Sequence, residues 1–536
     1  MAIGVLSNQA QFNDPASLID DRLEGSSIYK FLANYGGTLF PDDYFADLYT
    51  DTKRGRPTVP ARILATIMLL QSLEGLSDRD AVETFAFDLR WQGAAGCSLA
   101  PIPPHSTVLV GLRNRLRKSN RPRRLFEDTV GIAKSSGVLR SKTRVLDSTA
   151  LFDSVATQDS VTQLRASIRK VLDLLPKSAS ETVRSSLKRD DKYDTLGKPP
   201  CDWDDFEARE TLVDELVNDS LLALSSIENL PDLEMDESLK DAVELLALVS
   251  GQDVEQDETG KFKIAKRVAK DRIISTVDTD ARHGHKSKNR RFDGFKTHIS
   301  VEPESEIICE TTATKANVHD HDAIEELVKE LESEELESEE VESDDGEAKV
   351  VIGDGAYGDG PSRELLNDKG IDVVAKVTPA RNSPGLFTKE DFAIDTDNNT
   401  VTCPASNTVS IKAANSKKNR VASFRSFCQT CPLKEKCTTS HIGRTISVNA
   451  YETELVAARK YQKTPEFQNI YKKKRPIVER KIAHITKSLW GGRKARTRGL
   501  KRVSTDLYTR CGIINLKRLA VLQVFHDGSQ WKVAPT

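Results

Sequence analysis

Apolar residues recur at three- and four-residue intervals through the first hundred positions and at every second position around residues 294–314. The first spacing is one face of an α-helix, the second one face of a half-buried strand. Residues 15–95 are therefore expected to be helical. In "RPTVPARILATIMLLQSLEGLSDRDAVETFAFDLRWQGAAG", Pro60 opens a helix, Gly75-Leu76-Ser77 breaks it, and Ser77 with Asp80 makes a variant capping box for the next helix. Helix–turn–helix suits a DNA reader. It suits a small packing or dimerisation bundle too, which Asp78, Asp80 and Glu83 on the second helix favour. "HSTVLVGLRNRLRKSNRPRRLFEDTV" adds two helices around a basic, proline-bearing turn.

The pattern then changes. "TRVLDSTALFDS" begins with a short strand-like run that ends at Asp147. Residues 156–265 are polar and helix-patterned, a helical insertion without a chemical motif. Strand signals return at 272–279 and at 294–314, the latter a hairpin about a Glu-Pro-Glu-Ser turn. A helix from near His319 runs into an acidic linker, 330–347. Residues 350–354 and 371–377 are apolar strands around the helix pattern "PSRELLNDKG", which implies a parallel pair. The expected architecture is an α/β core with a mixed sheet, interrupted by a helical block. Its pieces are a helical N-terminal domain for DNA binding or dimerisation (1–140), the first part of the core (141–155), the insertion (156–265) and the rest of the core (266–400). A Cys-rich insertion (401–445) and a basic C-terminal helical region (446–536) follow.

Composition is globular, with 38% apolar and 30% charged residues over 536 positions. The net charge of −3 hides a strong asymmetry. Residues 410–520 carry 27 Lys and Arg against 6 Asp and Glu, whereas residues 325–347 carry 13 acids and one lysine. A basic lobe of that size is the footprint of a polyanion partner. The first twenty residues lack the basic-then-apolar layout of a signal peptide, and "ILATIMLLQSL" is too short to span a bilayer. Four of the eight cysteines cluster, unlike a secreted disulfide scaffold. A cytoplasmic protein without a membrane partner is expected.

Three acids draw attention. Asp147 and Asp354, the latter in "VVIGDGAYG", each close an apolar strand, and strand ends are where ligand chemistry collects in α/β sheets. Asp354-Gly355 is also ordinary turn chemistry. In "YKKKRPIVERKIAHITKSLWGGRKARTRG", Pro476 suits a first helical turn, and Val478, Ile482, Ile485 and Leu489 form an apolar stripe. Glu479 lies about 100° round from Val478, at the stripe's border. Taken alone it reads as readily as a solvated salt-bridge partner. Brought together, the three carboxylates would make a two-ion site for Mg²⁺ or Mn²⁺, hard ions that prefer oxygen. Surrounding cations would hold a phosphodiester backbone.

Cys403, Cys428, Cys431 and Cys437, with His441 behind them, offer either four thiolates for a structural Zn²⁺ or four free thiols. After His283 and His285, the run of Lys286, Lys288, Arg290 and Arg291 reads as a phosphate-binding loop. Asn317 or Asp320 explains part of "NVHDHDA" as a helix cap. Asp153 and Asp159 read as caps or surface acids, with Asp153 in reserve should Asp147 fail.

The ordered motifs "GRPTVPARILATIMLLQSLEGLSDRDAVE", "VLDST", "DTDARHGHKSKNRRFDGFKTHISVE", "TKANVHDHDAIEEL", "VIGDGAYG", "RPIVERKIAHI" and "TRGLKRVSTDLYTRCGIINLKRL" resemble a DDE-type insertion-sequence transposase of the bacterial and archaeal group eleven-eighty-two. That resemblance implies an RNase H-like core with Asp147, Asp354 and Glu479 as its triad. It implies binding of terminal inverted repeats, strand cleavage and strand transfer, and at least a homodimer on DNA. Arg475 stands at the spacing such enzymes show before the third acid; Tyr471 and Lys487 each lie one position off. Arg493, Lys494, Arg496 and Arg498 join Arg475 and Lys487 as expected DNA contacts. The rival readings are a domesticated DNA-binding protein and an RNase H-like nuclease without strand transfer.

Overall fold

Six strands of a central mixed sheet organise the chain: β1 (Thr143–Phe152), β2 (Arg282–Ser287), β3 (Arg290–Val301), β4 (Ile308–Lys315), β5 (Val350–Gly353) and β6 (Asp372–Ala375). The computed structural model describes residues 14–49, 57–191, 193–231, 233–287, 289–338, 348–380, 382–413, 420–487 and 491–535. β1 is central, antiparallel to β3 on one side and parallel to β5 on the other. β5 continues parallel into β6. The far edge of β3 carries β2 along its first residues and β4 along the rest. The expected hairpin and the expected strand–helix–strand unit are both present.

Alternation along β1 sends neighbouring side chains to opposite faces. Val145 packs with Ile352 against Val478, Ile482 and Ile485 of the helix Pro465–Ile485, and against Val503 and Leu507 of the helix Leu500–Val521. Leu146 packs with Val351 against Ile324, Leu327 and Leu331 of the helix Ile324–Ser338 and Leu366 of the helix Gly360–Asp368. Both faces are covered, which is why these strands read as continuous apolar runs.

The N-terminal helices follow their sequence signals. Pro60 caps the helix Ala61–Glu74, left-handed Gly75 (φ 71°) ends it, and the Ser77–Asp80 capping box starts Asp78–Phe87. Ala61–Glu74 is buried almost all round, as its unbroken apolar composition requires. Its Leu64 shares a core with Ile513, Leu516 and Leu519 of Leu500–Val521, so that C-terminal helix is a common wall between bundle and sheet. Buried Asn515 pins it there, donating to the Ile308 carbonyl and accepting from the Ile308 N–H (2.8 and 2.9 Å).

The insertion is helical, with Ser160–Leu174, Lys177–Ser186, Phe206–Glu228 and Glu237–Gln252 around their own core. The Cys-rich stretch carries short strands in two three-stranded sheets around a small core that includes Phe392, Val401, Phe424 and Ile446. No helix among the described residues is long and apolar enough to cross a membrane.

Three local expectations need correction. Residues 272–279 form no strand: Ile273 and Ile274 are buried, but their carbonyls accept from the Gln158 N–H and the Gln163 and Gln252 side chains. Side-chain amides replace a ladder there. β1 does not end at Asp147 but runs to Phe152, kept extended by its antiparallel partner β3. The acidic stretch is helical as far as Ser338, and buried Glu330 pairs with buried Arg144 (3.1 Å) rather than facing solvent. Residues 339–347 lie outside the described residues.

Candidate active site

Register explains why two distant aspartates meet. Val145 of β1 pairs with Ile352 of β5. Two residues further along both parallel strands stand Asp147 and Asp354, on the face covered by Pro465–Ile485. Thr464 caps that helix by accepting from the Phe467 N–H, and Pro465 takes its first turn. Pro476 therefore lies inside the helix and does not open it. Val478, Ile482 and Ile485 are its buried stripe; Leu489 lies outside the described residues. Glu479 and Arg475, one turn apart, come down beside the two aspartates.

Asp147, Asp354 and Glu479 line one cavity of about 500 Å³ with Ser148, Lys286, Lys296, Asp320, Arg475 and Arg493. Asp147 is only 8% exposed. It accepts from the Ser148 N–H (2.8 Å) and from Arg475 (2.9 Å). Burial raises its pKa, Arg475 opposes that rise, and nearby Asp354 adds to it. Arg475 is buried as well. Desolvation works against its charge, but Asp147 outweighs that and lifts its pKa. The second guanidinium nitrogen of Arg475 has no hydrogen-bond partner among the described residues and stands 3.9 Å from Glu479. Glu479 is the open side of the pair, with its side chain 63% exposed.

Asp354 accepts from the Ala356 N–H (2.9 Å) in a tight turn. The turn needs Gly353, because a Cβ there would stand 2.7 Å from the Cβ of Tyr357. Tyr357 is fully buried. Burial first, then Asp320, Asp147 and Asp354, push its ionisation far up.

Asp320 belongs to the pocket and caps nothing: its carboxylate accepts from Ser148 Oγ (3.0 Å) and Lys296 Nζ (2.9 Å). Asn317 does not cap either and donates to Asp271. Lys296 is held further by the Val318 carbonyl (2.7 Å). Sequence reasoning missed Asp320 and Lys296 as pocket residues. The alternation of β3 put Lys296 on a defined face, but only the β1–β3 register brings it near Asp147.

Other expected residues disperse. Lys286 and Arg493 reach the cavity, and Arg493 is fixed there because its carbonyl accepts from the Phe152 N–H. Lys487, just past the helix end, does not line it. Lys494 bridges to Phe152 through backbone, Arg496 donates to the Leu76 carbonyl, and Arg498 is exposed. Arg291 lines a neighbouring cavity, Arg290 is exposed, and Lys288 lies outside the described residues. Asp159 is a cap, accepting from the Thr162 N–H.

Cys403, Cys428, Cys431 and Cys437 line one small cavity of about 20 Å³. Burial raises the Cys437 pKa, and the other three thiols add to the rise after Arg444 has opposed it. As placed, no three His, Cys, Asp or Glu side chains among the described residues are gathered tightly enough to hold a metal ion.

The sheet, the acid-lined cavity and the basic rim fit an enzyme that acts on a polyanion. Residues 402–520, which include Arg475 and Glu479, match a family model described as a transposase DDE domain. Residues 18–115 match a second model, described as a transposase domain (DUF772). Together the matches support an insertion-sequence DDE transposase, an enzyme of nucleotidyl-transferase type whose partner is DNA. No curated protein and no solved structure matches the chain significantly.

Proposed function

We propose that the protein is a metal-dependent transposase of group eleven-eighty-two that cuts DNA at its element's terminal inverted repeats and joins the freed ends to target DNA. The observation that carries this reading is the gathering of Asp147, Asp354, Glu479 and Arg475 on one cavity. The strand order β4-β3-β1-β5-β6, antiparallel on one side of β1 and parallel on the other, supports an RNase H-like core.

The donor set suits two hard divalent ions, Mg²⁺ or Mn²⁺, since every candidate ligand is a carboxylate oxygen. The pocket also calls for positive charge, because the Arg475 guanidinium already stands as a cation between Asp147 and Glu479. Asp147, Asp354 and exposed Glu479 would hold such ions, which would activate water and stabilise a leaving oxygen. The chain's own residues do the rest. Arg475, Lys286 and Arg493 hold the phosphodiester, Lys296 stiffens the wall through its pair with Asp320, and the Ser148 N–H orients Asp147. Water breaks the P–O bond at the element end and leaves a 3′ hydroxyl; that hydroxyl then attacks a target phosphodiester and displaces its 3′ oxygen. Bringing two ends together calls for at least a dimer on DNA.

A structural Zn²⁺ in the Cys-rich unit is part of the same proposal. Its support is the shared cavity and the N–H groups aimed at sulfur, Arg444 N to Cys428 Sγ (3.4 Å) and Asn407 Nδ2 to Cys403 Sγ (3.8 Å). Donors of that kind accompany thiolate ligands.

The test uses inverted repeats read from the DNA flanking the gene. With Mg²⁺ and target DNA, the protein should cut the ends and produce joined products. Asp354→Ala should bind the same DNA and lose cleavage by a factor on the order of 10³ or more, the scale for removing one member of a catalytic unit. Cut but never joined ends would favour a nuclease; bound, uncut DNA with the unaltered chain would reduce it to a binding protein.

A further inference from the structure

A second cavity, of about 800 Å³, adjoins the acid pocket, and the two share His285 and Lys296 in their walls. Its sides are β2, β3, residues 268–272 returning from the helical insertion, and residues 316–319 after β4. The lining is basic, with Lys270, Arg272, Arg282, Arg291 and Lys296 against one acid, Asp293. That acid is occupied, by His283 Nδ1 (2.6 Å) and Thr157 Oγ1 (2.7 Å).

The cations divide into two kinds. Arg272, Arg282 and Lys296 are locked to Asp253, Asp271 and Asp320. Lys270 and Arg291 are exposed, and their side chains make no ion pair or hydrogen bond among the described residues. The first kind stiffens the walls, while the second supplies uncompensated charge. A trough of this volume is the size of a small-molecule site, which admits a strand a few nucleotides long and excludes a duplex. A charged groove that tracks a backbone is what single strands bind.

We infer that this trough takes a single strand of DNA leaving the acid pocket, with Lys270 and Arg291 on its phosphates and Lys296 at the junction. The inference rests on the DNA-cutting reading above and adds the path of one strand beyond the cut. The segment that leads out of the insertion, 268–272, forms one wall.

The test compares, by fluorescence anisotropy over a salt series, full-length protein on a blunt duplex and on the same duplex with a single-stranded oligothymidine tail. The tail should tighten binding. Lys270→Ala combined with Arg291→Ala should abolish that gain, weaken the blunt duplex by a smaller factor, and lower the tail's log–log salt slope by about 0.7 for each phosphate left without its cation. A parent that gains nothing from the tail, or a variant that keeps the gain, overturns the inference while duplex cleavage stands. A parent that binds neither DNA overturns both readings. Should the double variant misfold, 4-thiothymidine in the tail settles the matter with the unaltered chain. Crosslinks within 268–291 support the trough, and crosslinks only elsewhere overturn it.

Discussion

The acid pocket and the Cys-rich unit gather reactive side chains in opposite ways. In the pocket, the β1–β5 register and a 21-residue helix bring the carboxylates onto one cavity. In the Cys-rich unit, strands of two to four residues carry little core, and the four thiols sit outside them, on the connecting loops and the short helix Lys434–Cys437. The fold holds the chemistry in the first case. In the second, the chemistry would have to hold the fold, as happens where a small unit cannot bury enough apolar surface.

The largest expected effect tests that contrast directly. Purified protein should contain one zinc per chain. Its removal by a chelator should open residues 393–448 to protease while the helical N-terminal bundle stays protected. Structural zinc in zinc-finger peptides contributes about 10–16 kcal/mol, far more than this small core can replace. Cys431→Ser should reproduce the loss. Zinc-free protein with an unchanged protease pattern would erase the distinction, since the thiols would then be ordinary core residues.

A smaller effect sharpens the other side. If the pocket is set without metal, the Arg475–Asp147 pair is part of the folded state's own stability. Arg475→Ala leaves Asp147 buried and unpaired, and should cost about 3–5 kcal/mol in urea unfolding without added metal. Divalent ions should recover part of that loss. A metal-free Arg475→Ala as stable as the parent would mean that the pocket depends on its ligand, like the Cys-rich unit.

The two regions also differ in how far sequence discloses them. Local signals carried the capping box at Ser77, the β3–β4 hairpin, the insertion helices and the turn at Asp354, because each rests on neighbouring residues. From their own residues Asp147 and Glu479 were legible as chemistry, and only the resemblance made them neighbours, since sheet register and helix packing bring them together. Lys296 and Asp320 stayed hidden for the same reason. In "NVHDHDA" a cap was the cheaper local explanation, and only the fold points Asp320 at Ser148 and Lys296. Pro476 misled because a proline that could start a helix sits on the exposed side of one already begun at Pro465. The segment 272–279 misled because strand-like residues can be buried by amide side chains as well as by a ladder.

The smallest effect separates two acids of β1 and its exit. Asp153 was the alternative to Asp147, yet it lies away from the acid pocket. One of its carboxylate oxygens is buried without a hydrogen-bond partner among the described residues. Its pKa is raised to about 6, first by burial, then by Asp293 and Asp278, with the Val155 N–H and His283 opposing. A carboxyl that binds its proton more tightly folded than unfolded favours the fold most at low pH. That contribution fades as pH rises from the unfolded value near 4 towards 6, and is gone above it. Asp153→Asn removes the titration. The variant should match the parent near pH 4, gain on it up to pH 6, and hold a constant advantage of a few degrees in Tm from pH 6 to 8. DNA cleavage should persist. An Asp153→Asn protein that folds but cannot cut would move the reactive acid of β1 from position 147 to position 153, and with it the pocket that the register predicts.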